Sequence, residues 1–110
     1  MKISEIAAVL DIKPVAGSDG MDREVSGCYI GDLMSLAMSN LEEGNLWITI
    51  QTNLNVIAVS ALKEAGGVIL ADGMMPDANA AEKADEEEIP VFSSPLSAYQ
   101  LAKALAELGL

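Results

Sequence analysis

Histidine is absent from this sequence of 110 residues, and cysteine occurs once, at Cys28. Histidine is the commonest general base and metal ligand, so its absence excludes Ser-His-Asp and Cys-His nucleophile pairs and zinc sites of Cys and His. A single cysteine cannot form an internal disulfide, which agrees with a reducing compartment. The composition therefore points away from hydrolytic and zinc enzymes of these kinds.

Positive charge is scarce as well, since six Lys and Arg face seventeen Asp and Glu, for a formal net charge of −11. Such a surface repels phosphate backbones and anionic lipids, so nucleic acid and membrane partners are not expected. No apolar run approaches the ~20 residues that a membrane helix needs. The N-terminus lacks the cleavage site of a secretory signal, so we expect a cytoplasmic protein. With 51% apolar residues, the length suits a single domain over residues 1–110.

The first part of the chain predicts a small unit added to the main sheet. Apolar residues at helical spacing indicate a short helix over residues 4–10, with Ser4 as its cap. A brief extended piece at 12–15 follows, and then a loop rich in Gly, Ser and Asp. The β-branched and aromatic stretch VSGCYI predicts a strand, after which Asp32 is expected to cap a helix.

From VSGCYI onward, strands and helices alternate. LWITI and GVILA are apolar runs of the buried-strand type, and IPVFSS is the last strand, with Pro90 at its start or at a sheet edge. The helix after LWITI is expected to end at Gly66 and Gly67, and the last helix to begin at Ser94 and Pro95. The helix between them is acidic, with a buried side that is mostly alanine. The helix after LWITI should bury one apolar face: Leu54, Ile57, Ala58, Ala61, Leu62 and Ala65.

This alternation predicts the fold class. Strands that alternate with helices form right-handed parallel crossovers, with helices on both faces of the sheet. The prediction is an α/β fold, a three-layer α/β/α domain with a mostly parallel sheet of about four to five strands.

Polar residues follow three strands of this sheet, where the strands end. In open α/β sheets, ligands bind in the crevice beyond the carboxyl ends of the strands, beside helix N-termini that favour anions. A nucleotide or a small acid is the ligand class expected there. The candidates are Gln51, Thr52, Asn53, Asn55, Asp72, Gly73, Ser93 and Ser94.

Each candidate also has a structural explanation. Thr52 or Asn53 is a suitable helix N-cap, the Asp-Gly pair is a turn that permits positive φ, and Ser-Ser-Pro is a helix start. Asn53 and Asn55 cannot both be the cap. The second asparagine therefore needs a ligand, a partner chain or plain solvent.

The cysteine and the methionines are further candidates. Cys28 has no cations nearby in sequence, so it is interpreted as a small buried hydrophobe rather than a redox centre. Met34 and Met38 lie at helical spacing and suit a core or an adaptable contact surface. Met74 and Met75 fall in a loop and indicate a partner interface.

Four segments together resemble a DRTGG domain over essentially the whole chain: KISEIAAVL, VSGCYIGDLMS, LEEGNLWITIQTNLNVIAVSALKEAGGVILADG and IPVFSSPLSAYQLAKAL. The sequence is most similar to a subgroup of small stand-alone proteins often encoded beside iron hydrogenase and NADH-oxidising subunits. The resemblance implies the fold of the N-terminal domains of HPr kinase and the Mur ligases. Thr52-Asn53-Leu54 stands where the family has Gly-Asp-Arg, and Ala71-Asp72-Gly73 where it has Thr-Gly-Gly.

The resemblance implies a non-catalytic regulatory or small-ligand-sensing domain, responsive to a nucleotide and linked to redox or hydrogenase metabolism. No phosphate-binding G-x-x-x-x-G-K-[ST] motif occurs, so kinase activity is not implied, and no cofactor is expected. A homodimer and a protein partner in a redox or signalling system are the expected assemblies. The alternative is a protein-protein interaction adaptor without a small-molecule ligand, whose sign would be Met74 and Met75 within one exposed apolar patch.

Overall fold

The computed structural model describes residues 1–110, which form one sheet with helices on both faces. The strands are β1 (Pro14–Ala16), β2 (Gly27–Ile30), β3 (Asn45–Thr49), β4 (Gly67–Leu70) and β5 (Val91–Ser93). The helices are α1 (Ile3–Leu10), α2 (Met34–Asn40), α3 (Leu54–Leu62), α4 (Ala78–Glu87) and α5 (Ala98–Glu107), with a 3₁₀ turn at Ser18–Gly20. None of the helices combines the length and apolar character needed to span a membrane.

The sheet has five strands in the order β1-β5-β4-β3-β2. Strands β2 to β5 pair in parallel, and β1 joins β5 antiparallel at one edge. Helices α2, α3 and α4 bury residues in the core on one face, whereas α1 and α5 do so on the other. The predicted three-layer, mostly parallel α/β fold is confirmed, and β1 supplies its antiparallel strand.

The core is split by the sheet into two apolar layers. Trp47 on β3 is buried on the side of α2 and α3, and Phe92 on β5 is buried on the side of α1 and α5. Every residue of β4 is buried, as the continuous apolar run GVIL predicts for a strand covered on both faces. Full burial of each large apolar side chain stabilises the fold by roughly 1.5–3 kcal/mol. The side chains of these central strands therefore hold the helices against both faces of the sheet.

The segment between β1 and β2 docks on the end of α4. Gly17 has φ +68, and a Cβ placed on it would lie 1.8 Å from the carbonyl oxygen of Ile89, so only glycine fits. Its N–H donates to the Asp85 carboxylate at 2.7 Å. Arg23 donates to the carbonyl oxygens of Glu87 and Glu88 at 3.2 and 2.9 Å. A cation at this helix C-terminus offsets the acidic residues, which oppose the helix dipole.

Three predicted helix caps are wrong. Lys2, not Ser4, is the N-cap residue of α1. Leu33 occupies that position in α2, because the Asp32 side chain is bonded elsewhere. Helix α5 begins at Ala98 behind a Ser97 cap, since the residues after β5 form a turn first.

The end and the buried face of α3 also differ from the prediction. The left-handed residue that follows α3 is Glu64, with φ 55, while Gly66 donates to the carbonyl of Asn45 and Gly67 already begins β4. Leu62 is 69% exposed, whereas Val56 and Val59 are buried. Helix α3 packs between α2 and α4 as well as on the sheet, so its buried side is not the simple stripe that helical spacing suggests.

The hydroxyl of Ser60 is the buried side-chain polar atom that has no hydrogen-bond partner. Because an unpaired buried hydroxyl costs ~1–3 kcal/mol, we expect Ser60→Ala to raise the free energy of unfolding by about 1 kcal/mol. Ser94 is the matched control, since it is equally buried but its hydroxyl accepts the N–H of Leu96 at 3.2 Å. Urea denaturation of both alanine variants measures the difference. Equal destabilisation would show that the Ser60 hydroxyl is bonded.

Candidate functional site

The carboxylate of Asp32, just after β2, forms hydrogen bonds with residues at the end of β3. Its Oδ1 accepts from the hydroxyl of Thr49 at 2.8 Å and from the N–H of Ile50 at 3.0 Å. The Asp32 carbonyl accepts from the side-chain amide of Gln51 at 3.1 Å. Thr49 is 2% exposed, so its hydroxyl depends on this carboxylate for a partner. The polar groups at this corner therefore bond to one another.

The turn from β3 into α3 continues the same network. Asn53 is the N-cap of α3, and its Oδ1 accepts from the N–H of Asn55 at 2.9 Å. The other end of the Asn53 side chain donates to the Oε1 of Gln51 at 3.3 Å. The Asn55 side chain is exposed and makes no hydrogen bond within the chain. Capping therefore explains Asn53, and solvent surrounds Asn55.

Thr52 joins the beginnings of α3 and α4. Its hydroxyl donates to the Asp77 carboxylate at 2.9 Å, and the N–H of Asp77 donates to the Thr52 carbonyl at 2.9 Å. Beneath this pair, Gln51, Thr52 and Asn53 cover a seam lined by Pro76 and apolar residues of both helices and the sheet. The seam has no room for a water molecule. The strand-end crevice is thus closed at this point.

The loops after β4 and β5 form a second group of bonded residues. Asp72 and Gly73 both have positive φ, and the N–H of Gly73 donates to the carbonyl of Ser94 at 2.8 Å. The Ser93 hydroxyl donates to the carbonyl of Met74 at 2.7 Å. These hydrogen bonds hold the loop after β4 against the loop after β5. The Asp72 side chain remains exposed.

The eight residues predicted from the sequence therefore lie along one edge of the sheet but in two groups. Gln51, Thr52 and Asn53 line the closed seam, and Asn55 follows them in the first turn of α3. Asp72, Gly73, Ser93 and Ser94 do not line the seam. No cavity is lined by both groups. Their role in ligand binding stays a prediction.

Large apolar side chains are exposed along this same edge, in the segments that follow β3, β4 and β5. Met75 is 56% exposed, and the other members of this strand-end face are Ile50, Leu54, Met74, Leu96 and Tyr99. They stand beside polar groups that are already hydrogen-bonded within the chain. This face can therefore gain binding energy from apolar burial more readily than from new polar contacts.

The largest cleft lies at the opposite edge, where the strands begin. It has a volume of 690 Å³ and reaches Gly44 and Gly66, which precede β3 and β4. Its lining includes Arg23 and the glutamates Glu24, Glu43, Glu64 and Glu87. The guanidinium of Arg23 is occupied by helix-end carbonyls, so the cleft presents mainly carboxylates and disfavours phosphates. No group of three or more Cys, Asp and Glu residues is arranged to hold a metal ion.

Cys28 packs against the core on the side of α1 and α5. Burial raises the pKa of its thiol to about 11, so the thiol is protonated near neutral pH. A protonated thiol is neither a good nucleophile nor a metal ligand. Cys28 is partly rather than fully buried, and it packs as a small hydrophobe at the margin of the core.

Sequence reasoning missed the part that Asp32 plays at the strand ends. The predicted site residues follow β3, β4 and β5, whereas Asp32, which follows β2, is predicted only as a helix cap. Its position at the carboxyl end of a predicted parallel strand is the signal that would have placed it in this network.

We expect Asp32→Ala to lower the free energy of unfolding by about 2 kcal/mol, because the Thr49 hydroxyl and the Ile50 N–H would lose their acceptor. Asp32→Asn is the matched control, since it keeps an acceptor oxygen, and it should lose less than half as much. Urea denaturation at neutral pH compares the two. Equal losses would mean that the charge of Asp32, and not its acceptor geometry, stabilises this corner.

A similar fold occurs in a solved structure of the CBS and DRTGG domains of the regulatory region of Clostridium perfringens pyrophosphatase, complexed with the activator diadenosine tetraphosphate. The two proteins share 13% sequence identity and superpose with a TM-score of 0.73, over 94% of this chain and 45% of that chain. At this identity the likeness shows a common fold. Our chain spans less than half of that structure.

Among curated proteins, none matches this sequence. The family model of the DRTGG domain, however, matches residues 5–108. This range includes all five strands and the polar strand-end network described above. The chain belongs to the DRTGG domain family.

Proposed function

We propose that this protein is a non-catalytic regulatory module that acts by binding a protein partner at its strand-end face. The observation that carries the proposal is the contrast on that face between bonded polar groups and exposed apolar side chains. A catalytic role is disfavoured because the sequence lacks histidine and its one thiol is protonated at neutral pH. A fold-related DRTGG domain occurs in the regulatory region of a pyrophosphatase, which supports a regulatory rather than a catalytic task.

The proposed partner contacts the methionine-rich part of the face. Met74 and Met75 lie in the loop after β4, and both are exposed. Methionine side chains adapt their shape to a partner and are frequent at binding surfaces. Following the resemblance to the hydrogenase-associated subgroup, we propose a partner from a redox or signalling system in the cytoplasm.

A nucleotide-sensing module is the second candidate. It is favoured by the structural neighbour, whose regulatory region was solved with diadenosine tetraphosphate. The N-terminus of α3 lies at the same edge, and free N–H groups there favour anions. Because the seam below Gln51 and Thr52 is closed, a nucleotide would have to bind an opened form and shift the population toward it.

We also propose that the module works as a homodimer. Binding of a partner or a nucleotide would then be shared between two symmetric faces. This assembly is independent of whether the strand-end face binds protein or nucleotide.

The protein-binding role predicts that Met75→Asp abolishes capture of a partner from a native lysate, because it places a charge in the apolar face. Leu62→Asp is the control, since Leu62 is exposed at the far end of α3. It should leave capture unchanged. Circular dichroism checks that both variants fold. Equal capture by the Met75→Asp variant and the wild type would remove the strand-end face as the binding surface.

The nucleotide-sensing role predicts saturable changes of NMR amide shifts at residues 51–55 when diadenosine tetraphosphate or ATP is added. Asn55→Ala should weaken this binding several-fold without changing stability, because its side chain is exposed and has no bond within the chain. The control Asn79→Ala changes an exposed helical asparagine outside these residues. No shift at millimolar nucleotide would remove the sensing role and leave the protein-binding role.

A further inference from the structure

The two edges of the sheet are built differently. At the β1 edge, Pro14 removes a backbone donor, and the pairing with β5 is irregular between Pro14 and Ala16. Proline and irregular pairing are features that protect an edge strand from pairing with another chain. At the other edge, β2 reads Gly-Cys-Tyr-Ile and pairs with β3 in unbroken register. The β2 edge has no proline, lysine or bulge, so it lacks this protection.

Along β2, the backbone N–H and C=O groups of successive residues point alternately toward β3 and toward the open edge of the sheet. The N–H of Gly31 donates to the carbonyl of Ile48 at 3.2 Å, so the odd-numbered residues at this end face β3. The alternation of a parallel ladder then turns the N–H and C=O groups of Cys28 and Ile30 outward. Just before the strand, the N–H of Val25 donates to the carbonyl of Met1 at 2.8 Å. The N-terminal residues of the chain thus bond to the open edge only as far as Val25, and the edge of β2 beyond it has no partner within the chain.

The surface around this edge is nearly free of charge. Between Val25 and Leu41 the only charged residue is Asp32, and its carboxylate is bonded to Thr49 and Ile50. The rest of the chain carries all the other charged residues, which give the whole protein its net charge of −11. Exposed apolar side chains lie in the same segment: Ile30, Leu33, Leu36 and Met38. This β2–α2 surface therefore differs from the acidic remainder of the molecule.

We propose that two copies of this chain associate through their β2 strands, which form an antiparallel ladder about a two-fold axis. With the axis at Tyr29, the outward groups of Cys28 meet those of Ile30 of the partner subunit, and the reciprocal pair forms by symmetry. Two five-stranded sheets then become one continuous sheet. This inference rests on the proposed homodimer and identifies its surface.

A second copy fits this edge better than a charged partner. An antiparallel pair of identical strands is self-complementary, and the apolar side chains of Ile30 and Cys28 would lie opposite each other on one face. Two chains of charge −11 repel each other, and this is the surface where they can approach without bringing carboxylates together. A cationic partner would instead be attracted to the acidic remainder of the molecule.

Analytical ultracentrifugation of the full chain tests the proposal. We expect a dimer that Ile30→Lys converts to a monomer, with the dissociation constant raised at least tenfold. Val9→Lys is the control, because Val9 is an exposed apolar residue on α1 and gains the same charge, so it should remain dimeric. Both changes reduce the net negative charge, so loss of the dimer cannot come from added repulsion between the chains as a whole. Higher salt should tighten the wild-type dimer, since it screens the repulsion between like-charged copies.

Amide hydrogen exchange by NMR gives a second measurement that needs no variant. The amides of Cys28 and Ile30 should exchange slowly at high protein concentration and faster on dilution. The reason is that their outward N–H groups are hydrogen-bonded only in the dimer. A wild-type protein that is monomeric at every concentration overturns the proposal and leaves partner capture at the strand-end face untouched. Dissociation by Met75→Asp but not by Ile30→Lys also overturns it, because the dimer would then use the strand-end face.

Discussion

The strand-end edge of this domain depends on one carboxylate, that of Asp32. It holds the buried Thr49 hydroxyl and the Ile50 N–H, and so fixes the end of β3 against the end of β2. From there the bonds continue through Gln51 to Asn53, which caps α3. Because these groups are bonded to one another, they close the place where an open parallel sheet ordinarily binds a ligand. A partner can therefore bind this edge by burying the exposed apolar side chains that lie beside the bonded polar groups.

The opposite edge is organised by Arg23, one of the few cations in an acidic chain. Its guanidinium donates to the carbonyls of Glu87 and Glu88 at the end of α4, where acidic residues oppose the helix dipole, and to the carbonyl of Ala65 in the turn after α3. The carboxylates around it make the large cleft unsuitable for phosphates. Acidic and apolar surfaces are therefore separated in this molecule, with binding assigned to the strand-end face and self-association to the β2 edge.

Much of the fold could be predicted because it follows from apolar runs. GVIL is buried on both faces as expected, and the alternation of elements gave the parallel crossovers. The caps could not be predicted from local residue types, since Asp32 bonds across to β3 and Ser94 accepts within a turn before α5. Likewise, the eight candidate residues lie together at the strand-end edge, while their role in ligand binding stays a prediction. Whether they enclose a cavity depends on side-chain bonds between separate strands, which local sequence does not encode.

The central claim is that the polar groups at the strand ends are bonded within the free protein, so that this edge binds through its apolar side chains. Native amide hydrogen exchange at Ile50 and Asn55 tests it most directly, because both amides donate to side-chain acceptors at this edge. We predict that both exchange far more slowly than an unfolded chain in the absence of any ligand. Exchange at the unfolded rate would contradict the account, since it would show an open crevice with polar groups free to bind a ligand.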